Sequence, residues 1–134
     1  MTYSMGEKAT KNFYWSEFYC PAAKHMILEP FVFVHIEKLQ KLRDEFGPLK
    51  VNSAYRSPEH NAMVGGASKS MHLRFATDIA PTKSMPQPEL NDFFDLVEEK
   101  AIELDFKGIG RYHSFIHLDC RHLINRPPAN WDYR

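Results

Sequence analysis

Gly47-Pro48 cuts the chain immediately behind its longest helical pattern, and that break sets the frame for the segments around it. Pro30 opens the pattern, where a fixed φ and a missing N–H suit the first turn of a helix. Phe31, Val34, Leu39, Leu42 and Phe46 then recur at three- to five-residue spacing, which predicts a helix over Pro30 to Phe46 with one apolar face. Glycine followed by proline stops it. A second helix is read over Glu89 to Leu104, burying Leu90, Phe93, Phe94, Val97, Ala101 and Leu104.

Shorter elements fill the rest. Leu49 to Tyr55 reads as a strand, and Ser57-Pro58-Glu59 starts a turn of helix. Met63 to Ser70 is small and flexible, a loop able to approach a ligand closely. Phe75 to Ala80 reads as a strand ended by Pro81, and residues 82–88, with Pro86 and Pro88, as a connecting loop. Gly108 to Cys120 reads as two strands around a turn near His113-Ser114, and the tail with Pro127-Pro128 and Trp131 as loop. Residues 1–11 are polar and patternless and are read as a disordered N-terminal segment before a domain over 12–134. The aromatic run Asn12 to Cys20 is read as core packing, with Ser16 capping a short turn. This order describes an α+β domain, an antiparallel sheet with helices packed on one side.

A length of 134 residues fits one domain. The 17 basic and 17 acidic residues balance and form no basic stripe, so nucleic acid is excluded as an expected partner. No apolar run reaches the length of a membrane span, and the first residues lack a signal-peptide pattern. The expectation is a chain that is cytoplasmic at synthesis, leaving only by lysis or virion assembly. Cys20 and Cys120 form no metal-finger pattern and leave one disulfide or two buried thiols. His35, inside the first helix with no ligand partner nearby in sequence, reads as a packing or surface histidine.

The placement of other histidines carries more chemistry. His72 follows the small-residue loop, and Asp78 lies six positions later in a strand. On the last strand, period-two geometry points Phe115, His117 and Asp119 to one side, Ile116 and Leu118 to the other. Two imidazoles and a carboxylate make a His2Asp set, and three protein ligands with one open position are what a catalytic zinc requires.

The run VNSAYRSPEHNAMVGGASKSMHLRFATDIAP over 51–81 resembles the D-Ala-D-Ala metallopeptidases, whose superfamily includes the hedgehog domain fold. The likeness rests on Ser53-Ala54-Tyr55-Arg56-Ser57, Ser70-Met71-His72 and Ala76-Thr77-Asp78. GIGRYHSFIHLDCR over 108–121 resembles the family's closing strand, and NFYWSEFYC over 12–20 the opening of a phage and bacterial branch. The resemblance implies Zn2+ held by His72, Asp78 and His117. It implies that Arg56 faces substrate and stabilises an oxyanion, and that Ser70 orients substrate or a ligand. Asp119 is implied either as support for the third ligand or as a proton acceptor. The implied activity is hydrolysis of D-amino-acid-containing stem or cross-link peptides of peptidoglycan by a D,D-carboxypeptidase or endopeptidase. A phage endolysin or tail-associated lysin fits, a monomer unless part of a virion.

Two departures from the family pattern bear on that implication. Only five residues, Leu73 to Thr77, separate the first two ligands where six are usual, and Phe75 replaces an expected glycine. One residue reverses side-chain direction in a strand, so the loop must absorb the difference for Asp78 to face the histidines. The base expected two or three residues before the third ligand is also missing, since Phe115 and Ser114 stand there. The second reading is therefore a non-catalytic zinc-binding, wall-recognition or structural virion module on the same fold.

Overall fold

The computed structural model describes residues 5–134. Its first long helix, α1, spans Pro30–Phe46, with Pro30 at its first turn. Gly47 ends it at φ +84, a conformation that costs glycine nothing, and its N–H donates to Arg43 O at 3.0 Å. The buried stripe runs through Val32, His35, Ile36, Leu39 and Leu42, with Phe31 at its edge. Val34, expected on that stripe, is exposed. It lies five residues before Leu39, about 140° around the helix from it.

The strands β1 (Leu49–Ser53), β2 (Thr77–Pro81), β3 (Gly108–Arg111), β4 (Ile116–Asp119) and β5 (Ala129–Asp132) form one sheet. Its order is β1-β2-β4-β3-β5. The first four strands pair antiparallel, whereas β5 runs parallel to β3. The sheet is therefore mixed rather than wholly antiparallel, and the tail read as loop supplies an edge strand. Its burial alternates along Ala129 to Asp132, a half-buried pattern that four residues after two prolines are too few to announce.

Helix α2 (Pro58–Met63) is capped by Ser57, whose Oγ accepts from His60 N–H at 3.2 Å. Helix α3 spans Gln87–Glu103 and so starts inside the expected loop. Pro88 is tolerated there because the first turn has no intrahelical partner for its N–H. Both long helices cover one face of the sheet. On that face His35 of α1 meets Thr77 Oγ1 at 2.9 Å, and Arg111 donates to Asp95 Oδ1 and Glu98 Oε1 of α3, each at 2.8 Å. Ile79, Ile116, Leu118 and Ile109 fill the space between. Helices on one side of the sheet are as the sequence predicts.

Phe13, Trp15 and Phe18 are buried, so the N-terminal aromatic run is core. The short 3-10 turn at Trp15–Glu17 starts from Tyr14 rather than Ser16: Tyr14 N–H donates back to Glu17 Oε2 at 2.7 Å. Of the segment expected to be disordered, residues 1–4 lie outside the described residues. Within 5–11, Glu7 O and Met5 O accept from Trp15 and Ser16 N–H at 3.0 Å each. Cys20 and Cys120 are free buried thiols. No helix among the described residues is long and apolar enough to cross a membrane.

Candidate metal centre

The face of the sheet opposite α1 and α3 carries one cross-strand row: Ser53, Asp78, His117, Gly110 and Trp131, each opposite the next. Directly opposed residues share a face, so the row is a consequence of register. A bulge after Val51 places Ser53, rather than Asn52, opposite Asp78.

His72 reaches the row from a 3-10 turn, Met71–Leu73, whose cap is Ser70; Ser70 Oγ accepts from His72 N–H at 3.1 Å. The turn and the irregular chain after it consume residues 71–76, and β2 begins at Thr77, not at Phe75. Strand parity therefore does not apply between His72 and Asp78, and the five-residue spacing still delivers both to one point. Phe75, where glycine was expected, is fully buried against Phe18 at 5.8 Å and His35 at 4.8 Å between ring centroids.

His72 Nε2 lies 3.2 Å from Asp78 Oδ1, and His117 Nδ1 lies 3.0 Å from the same oxygen. The two imidazoles stand edge to face, centroids 5.1 Å apart. Ligand atoms of all three buried residues fall within 4.8 Å of one another. Each histidine commits its other nitrogen to an acceptor: His72 Nδ1–H donates to Ala54 O at 2.6 Å and His117 Nε2–H to Asp119 Oδ2 at 2.7 Å. The inward nitrogens, His72 Nε2 and His117 Nδ1, then turn lone pairs on a carboxylate unless a proton or a cation lies between them. That donor chemistry fits a divalent metal.

Asp119 is fully buried. Besides His117 it accepts from Arg121 at three points, backbone N and Nε on Oδ1 at 3.0 and 2.9 Å and Nη2 on Oδ2 at 2.8 Å. Burial pushes the Asp119 carboxyl up, but His117 and Arg121 outweigh it and hold it well below the ordinary carboxylate range. Asp78 behaves alike, burial being outweighed by the hydrogen bonds from His117 and His72. Burial opposes charge on His117, yet Asp119 and Asp78 together raise its pKa. Gly108, opposite Asp119, has no side chain because a Cβ there would overlap the carboxylate.

Arg56 stands beside the set, its Nη2 3.9 Å from Asp78 Oδ2. Ser53 Oγ accepts from its Nε and Asn61 Oδ1 from its Nη1, both at 3.2 Å. Asn61 also donates from Nδ2 to Ala67 O at 3.0 Å, so one buried amide ties the glycine loop to the guanidinium. Its signal was present in the block over 51–81, where an asparagine precedes Gly65-Gly66, but its partners could not be read. Trp131 and Arg121 were missed too. The Arg121 guanidinium lies over the indole at 5.3 Å, and the indole packs 5.0 Å from the His117 ring. His72, Asp78, His117, Arg56, Ser70, Arg121 and Trp131 line a cleft of about 370 Å³, together with Tyr112, Phe115, Tyr133, Lys69 and the loop at Gly66-Ala67.

An α+β domain with a buried His-Asp-His group and an arginine lining one cleft has the donor set that a metallopeptidase requires. The family comparison agrees, matching Peptidase M15 over residues 11–119, and the chain belongs to that family of zinc peptidases. No curated protein matches it. The match ends at Asp119, so Arg121 and Trp131 are parts of the site outside it.

Proposed function

We propose that this protein is a zinc-dependent peptidase that hydrolyses D-amino-acid-containing stem or cross-link peptides of peptidoglycan, with His72, Asp78 and His117 as metal ligands. The observation that carries the reading is the convergence of those three residues, in a Peptidase M15 chain, on a cleft that also presents Arg56. Zinc in such a set supplies a Lewis acid that polarises a carbonyl and acidifies water.

The chain's own residues have separable tasks. Ala54 O and Asp119 fix the tautomers of His72 and His117, so that each presents a lone pair inward. Asp119 therefore takes the supporting role rather than that of proton acceptor, because its oxygens are fully engaged and buried. Arg56, held by Ser53 and Asn61, meets negative charge that develops on the substrate carbonyl oxygen. Ser70 acts through His72, whose turn it caps. The decisive experiment incubates purified sacculi with the zinc-loaded chain and identifies released fragments by mass spectrometry. New termini at D-amino-acid peptide bonds, abolished by a chelator, are expected; intact sacculi contradict the proposal.

A second reading, a non-catalytic metal-binding or wall-recognition module, is favoured by one feature. Among the described residues lining the cleft, Asp78 is the sole carboxylate, which leaves no conventional base. Sacculus binding without bond cleavage is its expected result.

A further inference from the structure

The cleft contains a hydroxyl that the metal site does not use. Tyr112 follows β3 and lies on the side of Gly110, opposite to Arg111. Its ring stacks on Phe115 with centroids 4.3 Å apart and planes 14° from parallel, and its N–H donates to Phe115 O at 3.2 Å. Trp131 Nε1–H donates to Tyr112 Oη at 2.9 Å. That indole is itself seated over Gly110, where a Cβ would overlap it, and against the His117 ring. Two contacts thus fix the phenol oxygen relative to a metal-site histidine.

An indole N–H can only donate, so Tyr112 Oη accepts there and keeps its own proton for another partner. The same bond strengthens when the oxygen gains negative charge. Amide hydrolysis needs such a group, because the leaving nitrogen must gain a proton while the attacking water loses one. Asp78 is engaged by both histidines, and Asp119 is sealed under Arg121.

We propose that Tyr112 is a catalytic residue, donating its phenolic proton to the leaving nitrogen, and that Trp131 is the residue positioning it. As the C–N bond breaks, its electron pair passes to nitrogen, which takes the Tyr112 proton and departs as an amine. The carbonyl carbon keeps the oxygen of the attacking water. One proton of that water returns to the tyrosinate, and the other leaves with the acid product. Trp131 Nε1–H stabilises the tyrosinate between the two transfers. This assignment rests on the peptidase reading above.

The test compares two substrates on the zinc-loaded full chain: a stem peptide, and its analogue with the scissile amide replaced by a thioester. A thiol of pKa about 8.5 leaves without prior protonation, so a proton donor matters little for it. Tyr112→Phe keeps the ring stack. It is expected to lower kcat on the amide by about a hundred- to ten-thousandfold, with KM and zinc content unchanged. On the thioester it is expected to stay within about threefold of the parent. Trp131→Phe is expected to lower amide turnover by about tenfold and to spare the thioester. Equal losses on both substrates, or an unchanged amide kcat, overturn the assignment of Tyr112. Failure of the unsubstituted chain on both substrates overturns the peptidase reading, and Tyr112 with it.

Discussion

Asp78 on β2 and His117 on β4 stand directly opposite one another, with His117 Nδ1 3.0 Å from Asp78 Oδ1. Register therefore brings two proposed ligands together, and only His72 depends on a loop. Asp78→Asn preserves shape but removes the charge that offsets two imidazoles and a cation. Zinc affinity is expected to fall by more than the ten- to hundredfold typical of losing a supporting partner. Calorimetric titration of zinc into the chelator-treated variant checks it; unchanged affinity removes Asp78 from the ligand set.

Asp119→Asn separates orientation from proton transfer. The amide still meets Arg121 poorly and can no longer anchor the Nε2–H of His117 as a carboxylate does. Zinc affinity is expected to drop roughly ten- to a hundredfold. Full zinc affinity with turnover lost would instead return Asp119 to the role of proton acceptor.

Arg56→Ala is expected to retain zinc and to lose roughly a hundred- to a thousandfold in turnover, the usual effect of deleting one oxyanion donor. Asn61→Ala frees the same guanidinium and unties the loop at Ala67, and is expected to lower turnover in the same direction. Wild-type rates in Arg56→Ala would reduce the residue to an ion pair with Asp78.

His35 contributes to the loss of stability in acid, alongside the Asp78 and Asp119 carboxyls that are also held low. It is buried between Phe75 and Phe106, at 4.8 and 5.1 Å, with Nδ1 unpartnered among the described residues. Burial, the largest influence, pushes its pKa down to about 3, against an unfolded value of about 6.5. The unfolded chain thus binds the proton more readily, so the neutral ring's contribution is intact above about pH 6.5 and is lost as pH falls toward 3. Melting of the chelated protein across this range is expected to show a flatter acid decline in His35→Gln than in the parent. Parallel curves contradict the assignment.

The sequence disclosed most of what lies within single segments. Pro30 and Gly47-Pro48 bound α1 to the residue, and alternation along 115–119 put His117 and Asp119 on one face, as observed. What it hid depends on pairing between distant segments. Trp131 was visible as a lone tryptophan in a proline-containing tail, but its place opposite Gly110 follows from a parallel strand pairing that no local pattern encodes. The five-residue spacing between His72 and Asp78 looked unable to bring both to one point because Phe75 and Ala76 were assigned to a strand; they lie instead in irregular chain between the 3-10 turn and β2. Val34 misled for a simpler reason, since a five-residue step leaves the helical stripe.

The most direct measurement adds zinc stepwise to the chelator-treated chain and records peptide bonds cleaved in purified peptidoglycan at each addition. A linear rise that breaks at one zinc per chain, and that is absent in His72→Ala, is the result predicted by a catalytic site built on His72, Asp78 and His117. Zinc uptake to that same stoichiometry with no bond cleaved, or cleavage indifferent to zinc, would contradict it.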